Sequence, residues 1–195
     1  MNRHPTSSKA RRGQAGATLI EILVSMVILM VGLLGLVGVM IQSQRSQLES
    51  YQRVQALMLV QEMATRIAAN KAIASCYVLT GFLGTSGMTV PSSGSCGTGT
   101  TQQKDQFASD MSGWNNLLLG ASEKDSGGSN IGAVLGARGC ITSPSANVYQ
   151  VSVAWQGSAA TTAPPAGITC GTGQYGADDA LRRAVSVQIQ IESLS

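Results

Sequence analysis

The residue whose type and position most clearly imply chemistry is Glu21, a carboxylate at the edge of a long apolar stretch. No charged residue occurs from Ile22 to Ile41, and Glu21 is the only charge between Arg12 and Arg45. An ionised group at the centre of a membrane helix costs about 2.5–3.5 kcal/mol, and less near its end. Either the helix dipole stabilises this carboxylate at a helix N-terminus, or the carboxylate binds a cation from elsewhere. The residues alone leave both interpretations open.

A suitable cation would arise if the chain were cut just ahead of the apolar run. Ala15, Gly16 and Ala17 form a small-residue site there, and a cut after Gly16 would create an amine on Ala17, close in sequence to Glu21. An ordinary secretory signal has a shorter apolar region, about 7–15 residues, with its cleavage site after it. The segment that follows Ile41 has no A-x-A pattern. We therefore expect the apolar run to remain on the mature protein.

The cysteines are the second group with defined chemistry. The four are Cys76, Cys96, Cys140 and Cys170. None belongs to a C-x-x-C pair, which gives little support to a redox or zinc-ribbon motif. An even number of well-spaced cysteines in an exported domain indicates two disulfides, each worth roughly 3 kcal/mol. Of the three possible connectivities we prefer Cys76–Cys96 and Cys140–Cys170, the sequence neighbours. Buried free thiols are the alternative.

Composition narrows the function further. The only histidine is His4, ahead of Gly16, so the rest of the chain has no Ser-His-Asp unit and no His-based zinc site. We expect no enzyme activity, no metal and no cofactor. Four of the 13 basic residues precede Gly16 and no acidic residue does, so the remaining chain is close to neutral. Nucleic acid is therefore not an expected partner. The basic residues before Gly16 are Arg3, Lys9, Arg11 and Arg12.

The apolar run from Ile22 to Ile41 predicts a membrane-spanning helix, about 30 Å long. The excess of basic residues before it places the N-terminus inside and the remainder outside. Beyond the membrane, a stripe of apolar residues at helical spacing predicts that the helix continues to about Asn70. The stripe consists of Ala56, Val60, Met63 and Ile67. The helical pairs Arg45–Glu49–Arg53 and Glu62–Arg66 are interpreted as solvated charges.

The C-terminal part is predicted to be an α+β head with a small antiparallel sheet. An amphipathic helix is expected over Asp105–Leu119, with Phe107, Met111, Trp114 and Leu118 at helical spacing. Trp114 is expected in the core, and a subunit contact is the alternative. Period-two alternation over Tyr149–Trp155 and Val185–Ile191 predicts two half-buried strands, and Ile131–Ile141 a third. The ranges Gly81–Gly99 and Gly157–Ala180 are loops, and Asp178 and Asp179 are interpreted as solvated loop charges rather than a calcium site.

The run Gly16-Ala17-Thr18-Leu19-Ile20-Glu21, between a basic leader and the apolar helix, resembles the prepilin cleavage motif. The resemblance implies cleavage by a prepilin peptidase after Gly16. It also implies N-methylation of Ala17, where the family usually has Phe or Met, and a role for Glu21 in assembly. The implied organisation is a leader at 1–16, a transmembrane and assembly helix at 17–41, its continuation at 42–72, and a disulfide-bonded head at 73–195.

Further segments resemble the PilV family of minor pilins. These segments are Val31–Leu36, Met63–Asn70, Val151–Gly157 and Leu181–Val185. The resemblance implies a minor subunit that helps to initiate a type IV pilus or sits in its tip complex. Its implied partners are the other minor pilins and the major pilin, and its implied location is the bacterial inner membrane and then the pilus. The alternatives are a minor pseudopilin of a type II secretion system and a tip adhesin.

Overall fold

The computed structural model describes residue 16 and residues 18–121, 123–130, 132, 134–176 and 178–192. The chain divides into two units, of which the first ends at Gln44 and the second begins at Arg45. Helix α1, Leu19–Ala69, begins in the first unit and ends in the second. The two units are described separately below.

In the first unit, α1 is apolar and exposed over its length. It is the one helix among the described residues that is long and apolar enough to cross a membrane, and none of its apolar window is buried. Gly32, Gly35 and Gly38 lie inside the helix without interrupting it. The apolar run predicted from Ile22 to Ile41 thus has no partner within the described chain.

In the second unit, α1 contributes one side of the hydrophobic core. Its predicted apolar stripe is fully buried, together with Ala64. The helix ends at Ala69, next to the predicted Asn70, and a 3-10 segment follows over Lys71–Tyr77. The spacing of three and four residues between the apolar side chains therefore identified the packed face of this helix correctly.

The second helix, α2 (Thr101–Leu118), contacts α1 through side chains of both helices. It begins before the predicted Asp105 because Thr100 and Gln103 form a capping box, in which each side chain bonds the other residue's backbone N–H. The four apolar residues predicted at helical spacing are all buried, and the expected core position of Trp114 is confirmed. The Trp114 indole N–H donates to the carbonyl of Leu59, with 3.0 Å between nitrogen and oxygen, and so fixes α2 to α1.

Three antiparallel strands form the sheet in the order β1-β2-β3: β1 is Arg138–Ser145, β2 is Val148–Gln156 and β3 is Arg182–Gln190. The α+β class with a small antiparallel sheet is confirmed. The predicted range of the third strand, Ile131–Ile141, is wrong, because β1 begins only at Arg138. Gly136, with φ of +62°, lies in the turn that leads into the strand. Ile131 and Ala133 lie outside the described residues.

Strand β2 is buried on both faces, which corrects the prediction of a half-buried strand. One face, with Val151 and Val153, belongs to the core shared with the helices. The other face is covered by the segment 157–180, where Tyr175 packs with Ala154 and donates to its carbonyl at 3.1 Å. A long loop, which has no periodicity of its own, supplies the second layer over the sheet.

Candidate functional site

Thr18 accepts the hydrogen bonds of the first turn of α1. Its carbonyl accepts from the backbone N–H groups of Glu21, at 3.0 Å, and Ile22, at 3.3 Å. Its hydroxyl also accepts from the Glu21 N–H at 3.4 Å. These bonds satisfy donors that the first turn would otherwise leave free. Glu21 consequently lies in the first helical turn, where the macrodipole favours a negative charge.

The Glu21 side chain is exposed and forms no hydrogen bond or ion pair with any described residue. Gly16 is also exposed. Ala17, the predicted new N-terminus and methylation site, and the leader at 1–15 lie outside the described residues. The structure therefore places the carboxylate at a helix start and leaves its cationic partner a prediction.

The exposed apolar residues of α1 surround three glycines with open space beside them. A methyl group added at Gly32, Gly35 or Gly38 would meet no atom within 4 Å. Glycine destabilises a helix interior by about 1 kcal/mol relative to alanine. The part of the chain that the structure describes therefore contains no contact that requires a glycine at these positions.

Two disulfides fasten the head, and no described cysteine is free. Cys76 is joined to Cys96, and Cys140 to Cys170, which are the pairs of sequence neighbours. The first bridge ties the loop before α2 to the 3-10 segment that follows α1. The second ties the segment 157–180 to β1, and so holds the layer that covers the outer face of the sheet.

A buried polar network joins the end of α1 to α2. The Asp110 carboxylate accepts from Arg66 at 3.1 Å, from Gln106 at 2.8 Å and from the Tyr77 hydroxyl at 2.6 Å. Asn70 donates to the same hydroxyl at 3.1 Å. A buried carboxylate is expensive unless it is paired and hydrogen-bonded, and here both of its oxygens are occupied.

The protonation states of Tyr77 and Arg66 follow from the burial and the hydrogen bonds of their side chains. Burial, followed by the hydrogen bond to Asp110, raises the pKa of Tyr77 above its usual value. The hydrogen bond to Glu62 outweighs the opposing effect of burial and, with smaller contributions from the Glu62 charge and from Asp110, raises the pKa of Arg66. The tyrosine is thus neutral and the arginine is charged at physiological pH, which lets both donate to Asp110.

Two charges that were interpreted as solvated have partners in the structure. Glu49, interpreted as part of a solvated ladder, accepts instead from Arg183 of β3 at 3.3 Å and from the Ser158 hydroxyl at 3.1 Å. Asp179, interpreted as a solvated loop charge, pairs with the buried Arg182 at 3.1 Å. The Glu49 contact joins α1 to a strand 134 positions away, whereas the pair of Asp179 and Arg182 is local, three residues apart.

No group of three or more His, Cys, Asp or Glu side chains that could hold a metal ion occurs among the described residues. The buried polar cluster around Asp110 is made of groups that already bond one another. Asp110 was missed from the sequence because a carboxylate in an amphipathic helix looks like a solvated residue. Its spacing from the buried Phe107, Met111 and Trp114 was the one available signal.

A comparison with protein families matches residues 11–37 to the prokaryotic N-terminal methylation motif. The match covers the predicted cleavage site, Glu21 and most of the apolar run. It supports the pilin-like or pseudopilin class, with processing by a prepilin peptidase and anchoring of the helix in a membrane. No curated protein and no solved structure matches the chain.

Proposed function

We propose that this chain is a minor pilin of a type IV pilus, similar to the PilV family, and a structural subunit rather than an enzyme. The observation that carries the proposal is a methylation motif directly followed by an exposed apolar helix that continues into a disulfide-bonded head. In this proposal the head lies in the periplasm while α1 is anchored in the inner membrane. The chain then passes into the filament, near its start or its tip.

Glu21 has the central part in the assembly step. The side chain lies in the first turn of α1 and has no described partner, while cleavage after Gly16 would give every subunit a free amine on Ala17. An amine and a carboxylate in a low-dielectric setting attract strongly, and each is costly when left alone. A subunit that docks with its Ala17 amine near the Glu21 of a neighbour would satisfy both groups and fix the axial register.

Immunoblots of sheared pili and of membranes test this role. Glu21→Ala should be inserted and cleaved normally, because it removes a charge from the membrane, but it should accumulate in the inner membrane and be absent from pili. Glu21→Gln should behave in the same way, since it keeps the shape without the charge. Glu123→Gln, which makes the same change at an exposed head position, is the matched control and should enter pili.

The dipole interpretation of Glu21 makes a different prediction. It expects a loss of only about 0.3–1 kcal/mol of helix stability and normal entry into pili. Wild-type amounts of the Glu21→Ala chain in sheared pili would therefore rule out the assembly role. Absence of the wild-type chain from pili, together with a secretion defect on its deletion, would favour the pseudopilin alternative.

Cleavage of the leader is tested by measuring the intact mass of the protein extracted from membranes. The expected mass is that of a chain beginning at Ala17, with or without one methyl group. A mature N-terminus beyond Ile41 would mean that the apolar run is an ordinary signal peptide, and the pilin proposal would fail.

A further inference from the structure

The two edges of the three-stranded sheet differ in how far their backbone groups are covered by other segments. The edge of β1 is covered, because Leu83 and Gly139 exchange backbone hydrogen bonds at 2.9 and 3.0 Å, and the Leu79 N–H donates to the carbonyl of Ile141 at 2.9 Å. β1 also contains Pro144, and its register is irregular between Thr142 and Ser145. Proline, irregular register and a covering segment are three ways in which proteins protect a sheet edge.

The other edge is formed by β3, and its backbone orientation follows from two hydrogen bonds. The carbonyl of Leu181 accepts from Gly157, and the N–H of Ile191 donates to Asn147, so odd-numbered residues direct their backbone groups toward β2. Backbone groups alternate along a strand, so the even-numbered residues direct theirs outward. The outward-directed residues are Arg182, Ala184, Ser186, Gln188 and Gln190.

At the start of the strand the Arg182 N–H donates to the carbonyl of Asp179 at 2.9 Å, and the Arg182 carbonyl accepts from the Arg183 guanidinium at 3.5 Å. The outward backbone groups from Ala184 to Gln190 have no backbone partner among the described residues. Among the described residues, β3 shows none of the protective devices of β1, since it pairs with β2 in continuous register and contains no proline. No charged residue occurs between Arg183 and Glu192. An edge of this kind is a template for another strand.

We propose that the outer edge of β3 is a docking edge, to which an extended segment of a different pilin-class subunit adds as a fourth strand. The inference deepens the proposed function and rests on it. A row of alternating N–H and C=O groups is matched only by another extended backbone, as in known β-strand addition. The face pattern specifies the incoming segment, which must be apolar beside Val187 and Ile189 and polar beside Ser186 and Gln188.

A second copy of this chain is the competing occupant of the edge. A twofold axis perpendicular to the sheet would pair two β3 strands and keep their apolar faces together, whereas an axis parallel to the strands would set the apolar face of one sheet beside the polar face of the other. The identity of the crosslinked protein decides between a second copy and a different subunit.

The test uses the full-length chain in cells that make its pilus, with a photoreactive phenylalanine derivative in place of Gln190, an exposed residue of β3. The expected result is a crosslink to another protein that carries the same N-terminal motif, identified by mass spectrometry. The same probe in place of Ser145, exposed on β1, should give no such crosslink. Equal crosslinking from both positions, or a crosslink to this chain alone, would overturn the proposal.

A proline substitution in β3 distinguishes loss of docking at the edge from loss of the fold. Ser186→Pro removes an outward N–H without removing a bond between β2 and β3, and proline is tolerated at such edge positions. We expect it to lower the crosslink yield about tenfold, equivalent to roughly 1.4 kcal/mol, whereas Ser186→Ala should leave the yield unchanged. An unchanged yield in the proline variant, with both disulfides intact, would refute docking at this edge.

Hydrogen exchange in the wild-type chain supplies a second measurement in case Ser186→Pro fails to fold. The amides of Ser186 and Gln188 should exchange rapidly in the chain expressed alone and slowly in assembled pili, and equal rates in both states would contradict the proposal. If Ser186→Pro enters pili normally while Glu21→Ala does not, the docking edge is wrong and the pilin function stands. If the wild-type chain never enters pili, the function itself is wrong.

Discussion

The phenol of Tyr77 donates a hydrogen bond to the buried carboxylate of Asp110, with 2.6 Å between the two oxygens. Tyr77 ends the 3-10 segment that follows α1, while Asp110 lies in the middle of α2. Arg66 and Gln106 bond the other carboxylate oxygen. One buried charge thus fixes the relative positions of α1, α2 and the segment between them.

Replacing Asp110 should destabilise the head strongly. Asp110→Ala leaves the guanidinium of Arg66 and the hydroxyl of Tyr77 without their shared acceptor, and breaking a buried pair costs about 3–5 kcal/mol. The upper part of that range is not expected, because the Arg66 side chain is 30% exposed. Urea unfolding in detergent measures the loss. Asp105→Ala, at an exposed position of the same helix, is the control, and an equal loss in both variants would contradict the role of the network.

Alkaline pH should destabilise the head through its buried tyrosines. Burial raises the pKa of Tyr175 to about 12, and that of Tyr77 is raised in the same direction. An unfolded tyrosine ionises near pH 10, so both states are neutral below that pH and the stabilisation is complete. As the pH rises from about 10 to 12, the unfolded state loses its proton first, and each pH unit lowers the unfolding free energy by up to about 1.4 kcal/mol per tyrosine.

Phenolate absorbance follows this titration directly. The folded protein should show tyrosines that ionise later than they do in the same protein unfolded in urea. Tyr175→Phe should remove part of the slope of stability against pH between about 10 and 12. It should also lower stability at neutral pH, because the carbonyls of Gly136 and Ala154 lose a donor. An unchanged slope would mean that Tyr175 is not protected in solution.

Gly139 should tolerate no side chain. A methyl group there would lie 2.4 Å from the Trp114 ring and 2.6 Å from the Leu118 side chain, which hold α2 against β1. Gly139→Ala should therefore cost about 1–3 kcal/mol through overpacking. Gly167→Ala, with no atom within 4 Å of the added methyl, should change the unfolding free energy by less than about 0.5 kcal/mol. Equal unfolding temperatures of the two variants would show that Trp114 and Leu118 can move aside for the added methyl group without a loss of stability.

The bridge between Cys140 and Cys170 should protect the loop that covers the sheet. A variant with both cysteines replaced by alanine should lose roughly 3 kcal/mol. It should also be cut by elastase within the segment 157–180, which is rich in small residues. The matched variant without Cys76 and Cys96 should lose similar stability but keep that segment resistant. Cleavage of both variants at the same rate would mean that packing of Tyr175, rather than the bridge, holds the layer.

Periodic features of this molecule were predictable from the sequence, and features that depend on distant partners were not. The buried stripe of α1 follows from spacings of three and four residues, and the face of β2 with Val151 and Val153 follows from alternation. The covering of its other face by 157–180 left no comparable mark, because a loop has no repeating pattern. The α+β class could be predicted, since it depends only on the periodic elements.

Charged residues were the least predictable part of the site. Glu49 pairs with Arg183 across 134 positions of the chain, so its neighbours Arg45 and Arg53 in sequence suggested the wrong partners. Asp110 is buried although its residue type favours solvent. Glu21 is the opposite case, because its motif specifies a role while the described chain contains no group that would fulfil it. Its role in assembly stays a prediction.

The burial of α1 inside the head has a mechanical consequence. Val60, Met63 and Ile67 belong at once to the helix that carries the apolar run and to the core of the head. Tension applied to this part of α1 is therefore resisted by core packing and by the Asp110 network. Forced unfolding from the N-terminal end should therefore begin with shear between α1 and α2, at a force that Asp110→Ala lowers.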